Sequence, residues 1–84
     1  MTTIEVKYRG HLATMTGIAE ETIEADDVNG LLKAIRKRYG PEADKAARSM
    51  LIALNGESIL LLKRFKTALK NGDKISFFPL CAGG

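Results

Sequence analysis

Few residues of this chain could take part in chemistry, and most are poorly placed for it. His11 is the only histidine and Cys81 the only cysteine. A metal site needs several ligands and a general base needs a partner, and neither residue has one nearby in sequence. His11, beside Gly10, reads as a solvated loop histidine, and no metal site is expected. The carboxylates Glu20, Glu21, Glu24, Asp26 and Asp27 crowd one stretch without a pair spaced for acid–base work. A phosphate-cradling G-x-x-x-x-G-K loop is absent. What remains is the run Pro79-Leu80-Cys81-Ala82-Gly83-Gly84. It reads as a slender arm with little side chain. Glycines lack Cβ atoms, so such an arm can enter a narrow channel and leave its last carbonyl open to a nucleophile. The chemistry this suits is acyl chemistry at Gly84. The glycines alone describe an idle terminus equally well.

The arm needs a body to hold it. The chain has 84 residues, of which 45% are hydrophobic and 27% charged, enough for one small domain and too few for two. The expected division is a domain over 1–79 and a tail over 80–84. Thr3 to Tyr8 alternates, with Ile4, Val6 and Tyr8 on one side and Glu5 and Lys7 on the other, which predicts a half-buried strand. Ile18 to Ala25 predicts a second, poorer strand, joined to the first as an antiparallel hairpin by a loop around Gly10 to Gly17. Val28, Leu31, Leu32, Ile35 and Tyr39 recur at helical spacing. Asp26 or Asp27 can cap this helix, and Gly40-Pro41 stops it. Gly30 in its first turn costs about 1 kcal/mol relative to Ala.

Pro41 to Ser49 predicts a short helix and Met50 to Leu54 a buried strand. Asn55-Gly56 predicts a tight turn, with Ser58 to Leu62 as the returning strand. Leu61, Leu62, Phe65 and Leu69 also keep near-helical spacing, so that strand competes with a helix. After the Asn71-Gly72-Asp73 turn, Lys74 to Phe78 alternates, with Ile75 and Phe77 inward and Ser76 and Phe78 outward. Pro79 ends the strand. The order predicts an α+β fold: a mixed sheet of four to five strands with one main helix across one face. The first and last strands are the most regular and are expected together at the sheet centre. Phe78, an outward aromatic at the base of the arm, is expected to anchor a partner.

Charge and composition narrow the function classes. The net charge is +3, from 13 Lys and Arg against 10 Asp and Glu. The cationic clusters (Lys33, Arg36, Lys37 and Arg38, then Lys63, Arg64, Lys66 and Lys70) read as solvated faces; if functional, the second suits an acidic partner or a nucleotide phosphate edge. Trp is absent and other aromatics are few, so nucleic acid is not an expected partner. A single cysteine forms no internal disulfide and fits a reducing compartment. Met1 to Val6 lacks the apolar stretch of a signal peptide, and the longest unbroken apolar run, Met50 to Leu54, is far short of a membrane span. The expectation is a cytoplasmic protein without a membrane partner.

The layout of elements, the stretch Lys70-Asn71-Gly72-Asp73-Lys74-Ile75-Ser76-Phe77-Phe78-Pro79 and the terminal Gly83-Gly84 together carry a specific likeness. Leu12 to Ile18, the helix Val28 to Tyr39 and the turn Leu54-Asn55-Gly56-Glu57 extend it over nearly the whole chain. The sequence resembles the ubiquitin-like β-grasp sulfur carriers, and among them the small subunits of molybdopterin synthase. The resemblance implies that an E1-like adenylating enzyme consumes ATP to activate the Gly84 carboxylate, with Gly83 leading it into the active site. Sulfur then displaces AMP to leave a thiocarboxylate. In molybdopterin synthesis the tail enters the large synthase subunit and gives its sulfur to a cyclic pterin phosphate. The chain itself is then expected to bind no cofactor, and Phe78, Pro79, Leu80, Cys81 and Ala82 are expected to contact the partners. Cys81 stands where relatives more often carry a small or apolar residue, and nothing in the sequence marks its thiol as activated. The basic balance also departs from relatives, which tend to be acidic. Other acceptors (the thiamin thiazole or a tRNA), a lysine-directed modifier and a β-grasp binding module remain alternatives.

Overall fold

Alternating apolar residues build the sheet from its centre outwards. The computed structural model describes residues 2–79. Leu80, Cys81, Ala82, Gly83 and Gly84, which carry the expected chemistry, lie outside the described residues. Strand β1 (Thr3–Lys7) buries Ile4 and Val6, and β5 (Lys74–Phe78) buries Ile75 and Phe77. The two run parallel, with Val6 opposite Ile75 and Lys7 opposite Ser76. Strand β2 (Glu20–Glu24) pairs antiparallel with β1, and β3 (Leu51–Leu54) pairs antiparallel with β5. Strand β4 (Glu57–Ser58) completes a five-stranded mixed sheet in the order β2-β1-β5-β3-β4. The adjacency of first and last strands agrees with the sequence expectation.

One face of the sheet is covered by α2 (Val28–Tyr39), which buries Val28, Leu31, Leu32 and Ile35. Its start is capped by Asp27, whose carboxylate accepts from the Gly30 amide at 2.6 Å. Helix α3 (Pro41–Arg48) follows at once, because Pro41 at its first turn has no amide to leave unpaired. Ala43 and Ala47 are fully buried. Small side chains on α3 let it lie close to α2.

Three local expectations are corrected. Gly10 to Gly17 is not an open loop: His11–Thr16 forms a short helix, α1, that buries Leu12 and ends on Gly17 in the left-handed conformation. His11 therefore starts a helix and is exposed. The second strand is shorter than Ile18 to Ala25, leaving Ile18 exposed outside it. Ser58 to Leu62 is not a full strand. The Ser58 hydroxyl accepts from the Leu60 amide at 3.2 Å and turns the chain into a 3₁₀ segment, Ile59–Leu61. A second 3₁₀ turn, Arg64–Lys66, follows. The near-helical spacing of Leu61, Leu62, Phe65 and Leu69 gives no continuous helix either, since Leu61 and Leu62 are exposed.

Candidate functional site

The expected site hangs from the end of β5, so the described part of it is its root. Phe78 lies opposite Leu51 on β3 and is half-buried, on the sheet face that α2 does not cover. The Arg9 guanidinium stands 5.1 Å from the Phe78 ring centroid, a cation–π contact. A neighbouring side chain therefore covers part of the aromatic face that the alternation of β5 turns outward. Phe77 is fully buried as expected, with its ring 6.0 Å from that of Tyr8.

Pro79 meets Gly10. Gly10 has φ 60° and ψ −138°, a conformation that side-chain-bearing residues rarely adopt. A Cβ there would come within 3.2 Å of the Pro79 ring. The Gly10 carbonyl also accepts from the Ala13 and Thr14 amides at the start of α1. One β1–α1 junction therefore holds the root on two sides, through Arg9 on Phe78 and Gly10 on Pro79. Sequence reasoning missed both Arg9 and Gly10, reading Gly10 only as the start of a loop. Parallel pairing of β1 and β5 was the missing link, since it brings the end of one strand beside the end of the other.

Around the root, the uncovered sheet face carries Glu5 and Lys7 from β1, Lys74 and Ser76 from β5, and Leu51 and Ala53 from β3, as the register requires. Lys74 and Glu5 are 3.8 Å apart and well exposed, so their attraction contributes little to stability. A polar recess of about 310 Å³ lies over β1 and β2, lined by Glu5, Lys7, Glu20 and Thr22 among others. It brings together no nucleophile and base. Among the described residues, no three His, Cys, Asp or Glu side chains converge as metal ligands, and no helix is long and apolar enough to cross a membrane.

The strongest polar cluster is structural. Glu21 accepts from the Tyr8 hydroxyl at 2.5 Å, the Tyr39 hydroxyl at 2.6 Å and the Arg38 guanidinium at 2.6 Å. Burial, followed by the hydrogen bond to Glu21, drives the Tyr8 hydroxyl far above the usual tyrosine range. Tyr39 is shifted upward by the same two causes. Both phenols stay protonated donors, which ties β1, β2 and α2 together.

The sequence and fold that carry this root have counterparts among known proteins. The profile of the ThiS family matches residues 6–84. A molybdopterin synthase sulfur carrier subunit from Haemophilus influenzae is 32% identical over 72 residues, covering 80% of this chain and 84% of that protein. Small archaeal modifier protein 1 from Methanosarcina acetivorans superposes with a TM-score of 0.88 over 100% of this chain and 98% of that one, at 24% identity, a likeness of fold. The complex of subunits 1 and 2 of the molybdopterin-converting factor from Helicobacter pylori gives a TM-score of 0.71 at 26% identity, covering 99% of this chain and 100% of that one. With a family profile spanning nearly all of a ubiquitin-like β-grasp domain, the chain belongs to the ThiS family of sulfur carriers.

Proposed function

We propose that this protein carries sulfur as a thiocarboxylate on Gly84 and delivers it in molybdopterin synthesis. The observation that carries the reading is a family match that runs through Gly83-Gly84, together with the curated relative's role as a molybdopterin synthase sulfur carrier subunit. A carboxylate is a poor electrophile because its charge is delocalised and its leaving group is oxide. An E1-like partner would attach AMP from ATP to the Gly84 carboxylate and release pyrophosphate. Attack by hydrosulfide at the acyl carbon then expels AMP and leaves the thiocarboxylate. The partner supplies the ATP site and the catalytic groups; this chain supplies the acyl carbon and its approach.

The described residues support this division of labour. Domain 1–79 acts as a handle, and residues 80–84 form the working arm. Arg9 and Gly10 fix where Phe78 and Pro79 point, and the uncovered face beside Phe78 offers the handle's grip. The Helicobacter pylori subunits form a complex with one another; a large synthase subunit is the corresponding partner here, receiving the tail and the pterin precursor. Gly83 and Ala82 would pass through the narrow part of the partner's channel, where a larger side chain would clash.

The test is direct. The protein is incubated with the E1-like enzyme from its own organism and ATP, then with sulfide, and its intact mass is measured. Transient acyl adenylate followed by exchange of one oxygen for sulfur at the C-terminus is the expected result. If the enzyme never forms an acyl adenylate on this chain, the reading fails; adducts on lysines of other proteins would favour a modifier instead.

A further inference from the structure

The segment after β4 carries an apolar knob and a cationic rim that the sulfur-carrier chemistry does not use. Leu60 is 60% exposed and Leu61 77%, beside Ile59, which is buried. Lys63, Arg64 and Lys66 follow immediately, and the sequence from Ser58 to Gly72 contains no acidic residue. Among the described residues, none of these cations takes part in an ion pair. Next to Leu60 is a mainly apolar groove of about 100 Å³, lined by Met50, Leu51, Phe65 and others, with Arg48 at its edge. Arg48 is already engaged: it pairs with Asp44 at 3.0 Å and stands 5.5 Å from the Phe65 ring centroid.

The segment is held in place. The Lys63 amide donates to the Thr67 hydroxyl at 3.0 Å, the Val28 amide to the Thr67 carbonyl at 3.1 Å, and the Leu69 amide to the Asp26 carbonyl at 2.9 Å. Arg64 sits at φ 53°, a left-handed conformation that costs a non-glycine residue energy and persists only where surroundings enforce it. A pre-ordered surface loses little entropy on binding. Exposed adjacent leucines on such a surface are unusual without a partner.

We infer that this knob and groove form a docking site for a protein partner that acts on the tail, and that the partner offers an apolar side chain set among carboxylates. The inference rests on the carrier reading above. Charge complementarity selects an acidic surface, since every unpaired charge here is positive. The groove selects a protein rather than a bilayer, because it has room for about one inserted side chain, whereas a lipid surface can use only the protruding leucines. Leu51 lies in the groove and opposite Phe78, so the site is continuous with the root of the tail. The partner would thereby grip the domain beside the arm it receives.

Binding of the full chain to the purified E1-like enzyme and to the large synthase subunit tests the inference, with adenylation followed in parallel. Leu60→Ser/Leu61→Ser is expected to weaken at least one of the two complexes by about tenfold or more, since the truncated side chains lose their buried contact. Lys63→Glu/Lys66→Glu should slow association and flatten its dependence on salt. Both variants alter exposed side chains, and unchanged melting temperatures would separate lost docking from lost folding. If wild type is adenylated while both variants bind both partners as tightly as it does, the inference is overturned and the carrier reading stands. If the variants lose only sedimentation with phosphatidylserine vesicles, a membrane surface replaces the protein partner and the inference is likewise overturned. A wild-type chain that is never adenylated overturns the carrier reading and the inference with it.

Discussion

Replacing Glu21 tests whether the fold depends on the polar hub built around it. Glu21→Ala removes an acceptor from three donors at once: Tyr8, Tyr39 and Arg38. Tyr8 is 3% exposed, so its hydroxyl would be left without a partner, which costs about 1–3 kcal/mol. Tyr39 is only partly buried and can turn to water. Arg38 is about half exposed, so its ion pair with Glu21 adds about 1 kcal/mol at most. The expected loss is about 1–4 kcal/mol, a large fraction of the roughly 4–12 kcal/mol available to a domain of this size. Glu21→Gln retains one good acceptor and should lose less, about 1–2 kcal/mol, because charge-assisted bonds become neutral ones. Urea unfolding at neutral pH, followed by circular dichroism, measures both. Two variants within about 0.5 kcal/mol of wild type would refute the hub.

The same cluster sets the alkaline limit. Folded Tyr8 keeps its proton well above the ordinary tyrosine value of 10.0, for reasons of burial first and the Glu21 hydrogen bond second. Above that value the unfolded chain releases the proton and the folded chain retains it. The stability contribution is therefore complete below pH 10 and declines above it, by up to about 1.4 kcal/mol per pH unit for this group. Phenolate absorbance should rise together with unfolding; Tyr8 ionising in an intact fold would contradict the account.

Other substitutions probe the root, the core, the helix start and the tail. Gly10→Ala forces a side chain into an unfavourable backbone region and against the Pro79 ring, and should lower stability by about 1–3 kcal/mol in denaturant unfolding. Phe77→Ala empties the centre of the core and should cost about 3–5 kcal/mol, enough to leave much of the chain unfolded by circular dichroism at 37 °C. Asp27→Ala removes the cap on the Gly30 amide, for an expected loss of about 1 kcal/mol by the same assay. Deleting Gly84 should leave the melting temperature unchanged and abolish thiocarboxylate formation by intact mass, whereas Cys81→Ala should load sulfur as wild type does.

Periodic elements were legible and their departures were not. Alternation in Thr3–Lys7 and Lys74–Phe78 and the helical spacing of Val28, Leu31, Leu32 and Ile35 reflect burial of one face, and burial leaves a direct trace in residue type. The helix His11–Thr16 has one buried anchor, Leu12, and no side-chain cap, so its sequence HLATMT looks like a loop. It forms because Gly10 can adopt φ 60° and because Leu12 reaches the core beneath it. The stretch after Ser58 misled in the opposite way: four apolar residues suggest a strand, yet only Ile59 is buried. Exposed leucines follow no folding rule, which is why a contact surface reads as an error in the pattern. The Glu21 hub was hidden because its donors come from the residue after β1 and from the end of α2, and only the tertiary packing brings them to β2.

The root of the tail shows why topology matters to the proposed chemistry. A carboxylate that must be presented to two different partners needs a fixed base and a free end. An edge strand would be a weak base, since half its backbone groups lack strand partners. Strand β5 is instead central, hydrogen-bonded to β1 on one side and β3 on the other. Displacing it would break both ladders and expose Ile75 and Phe77, which are fully buried. Its parallel neighbour β1 ends opposite Ser76, so Arg9 and Gly10, which follow it, come level with Phe78 and Pro79. An antiparallel neighbour on that side would have put a strand's beginning there, with its own entry to accommodate. The mixed sheet thus sets one strand end as anchor for Phe78 and Pro79 and places Arg9 and Gly10, just past the adjoining strand end, against them.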